Sequence, residues 1–160
     1  MGTKKSGSLA LSDFFCIFAE NMETMKIFNF VVLLGLGIGL YGCQDPAKSR
    51  YYMDEGYKLM MVYSQFEKAE EALDKAIKYD KSNYEAYYNR GCVRINRKKY
   101  REAIEDFEKA IELKPDYADA YFNTGRVYFL LNEEDKACEY YKLATKYGRQ
   151  NLEDYLRACP

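Results

Sequence analysis

A spacing of 34 residues recurs in this chain and constrains its fold more than any other feature. Tyr87, Gly91, Ala103, Phe107 and Ala110 return 34 positions later as Tyr121, Gly125, Ala137, Tyr141 and Ala144. An earlier copy keeps Ala69, Leu73 and Ala76 in the same frame. Its Gly56 falls one residue early, so its first helix or the turn after it holds one extra residue. Units this short cannot each enclose a core and bury their apolar faces only by stacking on one another. The chain is therefore a linear stack, read as three units over 49–83, 84–117 and 118–148.

Each unit shows helical periodicity twice. The first helices are expected near 49–63, 84–96 and 118–130, and the second near 66–79, 100–113 and 134–147. Small residues (Gly91, Ala103, Ala110) let backbones approach closely, while Tyr87, Phe107, Tyr121 and Tyr141 fill the space between pairs. Ser64, Ser82, Asp116, Asn132 and Asn151 each precede an acid by three residues, which predicts side-chain caps at helix starts. Pro115 and Gly148 end second helices. Beyond Gly148, Leu152, Tyr155 and Leu156 form a short stripe over 151–158, read as a capping helix within 149–160.

The run from Tyr87 through Gly91, Ala103, Phe107 and Ala110 to Pro115 resembles the tetratricopeptide repeat. The resemblance covers about 49–148 and implies an all-α, right-handed α-solenoid of about three helix hairpins plus the capping helix. Arg94, Glu134, Lys81 and Arg149 depart from the family pattern. The family's fold implies a concave face lined by the first helix of each unit. Carried onto this chain, those positions are Met53, Asp54, Tyr57, Met60, Glu85, Tyr88, Asn89, Cys92, Asn96, Asp119, Phe122, Asn123, Arg126 and Phe129. Tyr57, Tyr88, Asn89, Asn96, Phe122, Asn123, Arg126 and Phe129 are the expected partner contacts, amides for a peptide backbone and rings for apolar contact. Asn89 and Asn123 have a competing role as helix ties, and Tyr88 and Phe122 as core. The subclass that clamps a terminal carboxylate needs Lys, Asn and Arg at set offsets. Asn89 matches one and the flanking cations do not, so chaperone-tail binding is not implied.

Ahead of the repeats, Met25 and Lys26 lead into an apolar run over 27–41, followed by Gly42 and Cys43. With Leu40 three before the cysteine and Gly42 just before it, 25–42 resembles a bacterial lipoprotein signal. The resemblance implies acylation of Cys43 and cleavage before it, with 43–48 as the linker. Fifteen apolar residues span roughly 22 Å, short of the roughly 30 Å hydrocarbon core, which favours a cleaved signal over an uncleaved anchor. Residues 1–24 read as an extension ahead of a start at Met25 or Met22. Gln44 imposes no inner-membrane retention, so an outer-membrane location facing the periplasm is the expectation.

Residues 1–42 hold three bases and three acids, so the remaining chain keeps the net charge of −1 and has no bulk attraction to nucleic acid. Arg94, Arg97, Lys98, Lys99 and Arg101 form a local basic run, read as a solvated turn, with contact to anionic lipid or a partner as the alternative. The chain has no histidine, no phosphate-binding glycine loop and no nucleophile motif. No enzyme activity, metal, cofactor or small-molecule substrate is expected. Glu133, Glu134 and Asp135 suit a helix start. Cys92, Cys138 and Cys159 remain once Cys16 and Cys43 are set aside, and Cys92 and Cys138 read as small buried hydrophobes. The expected function is a lipid-anchored adaptor for a protein or peptide partner. The alternative is a structural subunit that self-assembles through its repeat ends, and an enzyme acting on cell-wall glycan has only the compartment in its favour.

Overall fold

In a computed structural model of the chain, the structure describes residues 44–157 and residue 159. The expectations for 1–24, for the signal over 25–42 and for acylation of Cys43 lie outside the described residues. Within them run α1 Pro46–Met61, α2 Phe66–Tyr79, α3 Tyr84–Asn96, α4 Tyr100–Leu113, α5 Ala118–Leu130, α6 Glu134–Lys146 and α7 Glu153–Arg157, with no strand. Helices pair as α1 with α2, α3 with α4 and α5 with α6; α2 then packs on α3, and α4 on α5. This is an all-α solenoid of three hairpins ended by a short helix.

Helix α1 starts three residues before the expected 49 because Asp45 accepts the Lys48 amide at 3.0 Å and Pro46 sits in its first turn. The linker after Cys43 is therefore Gln44 and Asp45, not 44–48.

The capping expectation needs correction. Ser64, Asn132 and Asn151 do not cap helices; their φ angles are 51°, 58° and 59°, in the left-handed region, as is Lys98 at 60°. Ser64, Lys98 and Asn132 lie 34 residues apart, at the turn inside each hairpin. At Lys98 the amide bonds the Ile95 carbonyl at 2.9 Å and the next amide bonds Arg94 at 2.8 Å. Asn132 and Glu133 repeat this onto Phe129 and Tyr128 at 3.0 and 2.9 Å, and Gly148, at φ 99°, ends α6 the same way. These are helix-terminating turns that satisfy the last carbonyls. In the first unit the Gln65 amide reaches back six residues to Leu59, which locates the extra residue in that turn. Asn83, not Ser82, caps α3, accepting the Ala86 amide at 3.0 Å, and α5 has no side-chain cap.

A lysine in the left-handed region carries a steric penalty that glycine lacks. Lys98→Gly is expected to stabilise the fold by about 0.5–1 kcal/mol, after the extra freedom glycine gains in the unfolded chain. Thermal melts of the two proteins check it, and an unchanged or lower midpoint would show that the turn carries no strain.

The small-beside-large pattern is a close contact. A Cβ on Gly91 would lie 2.6 Å from Phe107 Cε1, and one on Gly125 would lie 2.7 Å from Tyr141 Cε1. Phe107 is fully buried, so the ring has nowhere to retreat.

Candidate functional site

Helix α1 touches α3, and α3 touches α5, so the first helices of the units line one side of the stack. Between α1 and α3 lies a cleft of about 360 Å³ lined by Tyr57, Met60, Met61, Phe66, Tyr88, Asn89, Cys92 and Asn96. Four expected contacts, Tyr57, Tyr88, Asn89 and Asn96, come together here. Tyr57 and Met61 are 49% and 60% exposed. Asn89 is half-buried and its amide has no hydrogen-bond partner among the described residues. Asn96 Nδ2 donates to the Cys92 carbonyl at 2.9 Å, which leaves its side-chain carbonyl oxygen as an acceptor. Burial pushes the Cys92 thiol up to about 11, so it is a protonated, apolar wall rather than a nucleophile.

Phe122 and Asn123 depart from expectation. Phe122 is buried against Tyr141 and Tyr155, with ring centroids 5.8 and 5.2 Å away. Asn123 is also buried, and its Nδ2 donates to the Tyr88 hydroxyl at 2.8 Å while its carbonyl accepts from Arg126 Nη1 at 3.1 Å. The reason is the stacking itself: at these positions α5 meets α3 and the final helix, so the side chains tie units together. They are not free contacts.

A second cleft of about 770 Å³ opens beside them, lined by Tyr117, Asp119, Phe122, Arg126, Tyr147, Arg149, Leu152 and Tyr155, among others. The Arg149 guanidinium lies 4.5 Å from the Phe122 centroid and pairs with Asp119. Arg126 is exposed at this cleft, as expected of a contact. Phe129, 54% exposed, lies apart from both, in a cleft of about 260 Å³ with Cys138, Tyr141 and Tyr155. The second and third clefts share Tyr155, while Tyr57, Tyr88, Asn89 and Asn96 gather around the first. Arg149, Tyr147 and Met61 were not among the expected contacts. Tyr155 was legible only as part of the terminal stripe.

Within the basic run, Arg94, Arg97 and Lys99 are held in ion pairs and not simply solvated, while Lys98 and Arg101 are exposed. Arg94 Nε, Arg97 Nη1 and Lys99 Nζ converge on the buried Glu70 of α2, Arg94 at 3.0 Å and Lys99 at 3.0 Å. Arg94 also reaches Asp106 at 2.9 Å, and Arg90 holds Asp106 at 2.6 Å and Asp74 at 2.7 Å. Arg101 pairs with Glu133 at 2.7 Å. This network joins α2, α3 and α4. Burial pushes the Glu70 carboxyl up, but hydrogen bonds from Lys99, Arg94 and Arg97 outweigh it and bring its pKa down to about 2.

Cys138 is likewise not a simple buried hydrophobe: it forms a disulfide with Cys159, 21 residues on, which staples the segment after α7 to α6. Cys92 remains a free thiol. Among the described residues no cluster of Cys, Asp or Glu could hold a metal ion, and no helix is long and apolar enough to cross a membrane.

A family profile described as Tetratricopeptide repeat matches residues 84–117, and a second of the same description matches 107–139. Among curated proteins, none matches the chain significantly. Solved structures share the helix arrangement. The first TPR domain of Spaghetti (RPAP3), bound to the HSP90 peptide SRMEEVD, is 24% identical, with a TM-score of 0.68 over 72% of this chain and 92% of that one. The TPR2B domain of yeast Sti1, in a complex with pHsp70, is 27% identical, with a TM-score of 0.61 over 63% of this chain and 80% of that one. MamA protein is 33% identical, with a TM-score of 0.59 over 64% of this chain; the match spans only 56% of MamA.

Proposed function

We propose that this chain, which matches the tetratricopeptide repeat over residues 84–139, is a non-enzymatic, lipid-anchored adaptor that holds an extended peptide of a partner protein at a bacterial envelope membrane. The α1–α3 cleft carries the reading: Asn89 offers an unpartnered amide between the exposed Tyr57 and Met61 and the wall of Tyr88. An amide can pair with a peptide backbone as donor and acceptor at once, and the flanking apolar surface supplies contact area. Structures of similar fold hold HSP90 and pHsp70 ligands, which supports a peptide as the occupant.

Anchoring rests on Leu40, Gly42 and Cys43 at the end of the apolar run. The Cys138–Cys159 disulfide supports an oxidising compartment such as the periplasm. Acylation predicts an intact mass, measured on membrane-extracted protein, of a chain that starts at Cys43 and carries lipid. A chain beginning earlier, or beginning there without lipid, removes the anchor from the proposal. An open-ended array of copies needs both repeat ends free, and α7 packs against α6 at one of them, so self-assembly would be limited to pairing through the α1–α2 end.

A photo-crosslinking residue at Met61, exposed at the cleft, tests the groove in native cells. A heterologous protein should be captured, and capture should fall at least about tenfold in Tyr57→Ala with Asn89→Ala, the loss of an aromatic anchor and a paired amide. The double variant is expected to keep its thermal midpoint within a few degrees because neither side chain is fully buried. Undiminished capture would move the partner to another surface.

A further inference from the structure

Around the start of α1 and the end of α2 lies a surface that the groove does not use. The Asp45 amide donates to the Tyr79 carbonyl at 2.8 Å, which holds these two helix ends together. Three tyrosines cluster there: Tyr52 stacks on Tyr79 with centroids 5.6 Å apart, and Tyr51 meets Tyr52 edge-on at 5.2 Å. Tyr51 is 64% exposed. Lys75 lies 5.4 Å over the Tyr52 ring and Lys48 lies 5.2 Å over Tyr79. Lys78 and Lys81 are exposed at the same end, and neither pairs with a carboxylate among the described residues. The acids present are already engaged: Asp45 caps α1, and Asp80 accepts from the Ser82 amide and hydroxyl at 2.8 and 2.6 Å.

We propose that this aromatic and basic end of the first hairpin is a membrane-contact face that seats on an anionic bilayer. The proposal rests on the anchor reading, because an acylated Cys43 would leave only Gln44 and Asp45 before the helix. From Cys43 to Tyr51 the backbone path is then at most about 18 Å: three extended residues and five helical ones. Tyrosine rings favour the headgroup layer, where the apolar ring is buried and the hydroxyl stays wet. Lys75, Lys78 and Lys81, which have no carboxylate partner among the described residues, supply attraction to anionic headgroups that fades within a Debye length. The hairpin is thereby oriented by two constraints, a tether and a seat.

The chain contains no tryptophan, so Tyr51→Trp places a single indole in the face. Tyr63→Trp, also at an exposed tyrosine, places a control just past the far end of α1, about 18 Å from position 51 along the helix axis. Each full-length protein is reconstituted into vesicles of phosphatidylcholine with or without phosphatidylglycerol, carrying brominated acyl chains, and co-flotation is scored separately from indole quenching. The proposal expects strong quenching at position 51 in the anionic vesicles, little at position 63, and loss of the difference in 0.5 M salt or with Lys75→Gln, Lys78→Gln and Lys81→Gln together. Co-flotation with an unquenched indole at 51 overturns the face while the anchor stands. Equal quenching at both positions, indifferent to salt and lysines, reports tether proximity alone and also overturns it. Quenching at 51 without co-flotation upholds the face and removes the anchor, and absence of both removes both. A blue shift of that indole in native membranes without bromolipid quenching would assign the surface to a protein and overturn the lipid proposal.

Discussion

Asp106→Ala is expected to cost about 3 kcal/mol of folding stability, read as a lower denaturation midpoint at an unchanged m-value. The Asp106 side chain is 3% exposed, and its loss takes one of two carboxylate partners from the guanidiniums of Arg90 and Arg94, themselves only 16% and 17% exposed, which keep Asp74 and Glu70. Burial raises the Asp106 carboxyl above its ordinary value even against the hydrogen bonds from Arg90. The carboxylate is therefore no source of stability by itself, and the cost of removing it comes from the cations left behind. Replacing Asp106 with Leu and Arg90 with Met together should recover much of the loss. A double variant as unstable as the single one would refute this account.

Glu70 gives the same network a pH signature. Its folded pKa of about 2 lies below its ordinary 4.5, so the unfolded chain takes up the proton first as pH falls. The stability it contributes is full above about pH 4.5 and is lost as pH falls through about 2. Glu70→Gln should flatten that part of the acid unfolding curve relative to wild type.

Phe107→Ala is expected to cost about 3–5 kcal/mol by opening a cavity at a fully buried ring, and Gly91→Ala about 1–3 kcal/mol by overfilling the same contact. Gly91 exists where it does because a methyl there would sit 2.6 Å from the Phe107 ring. The two errors are opposite in volume, so Gly91→Ala with Phe107→Leu should cost less than the sum of its single changes. Strict additivity in urea unfolding would mean that the residues do not share a packing constraint.

Much of the stack was legible because its marks recur in register. Helices α2 to α5 start and end where the spacing puts them, since apolar periodicity and the glycine–aromatic contact act locally. The turns were misread for a chemical reason: serine and asparagine suit both a helix start and a left-handed helix end, and only backbone angles separate Ser64 and Asn132 from caps. The recurrence of positions 64, 98 and 132 was the available clue, masked by a lysine at the middle one. The ion network was hidden because Glu70 lies 24 residues from Arg94 and Asp106 lies 12 residues from it. The pairing of Cys138 with Cys159 depended on how the terminal segment folds back over α6. At the groove, the family frame put all eight expected contacts on one concave face. The structure gathers Tyr57, Tyr88, Asn89 and Asn96 in one cleft, and the frame could not tell which positions the next helix would cover, as it does Phe122 and Asn123.

The disulfide between Cys138 and Cys159 gives the stack a mechanical polarity. In an array held by nearest-neighbour contacts, melting begins at whichever end has least to hold it. The last hairpin has a covalent clasp, while the first has the irregular turn and one neighbour. A load applied between a membrane tether at the N-terminus and cargo in the groove would therefore be felt by the weakest hairpin first. Yielding there would take apart α1, which supplies one wall of the groove, so an overload would let the cargo go while the later hairpins stayed folded, and the first hairpin would serve as a mechanical fuse.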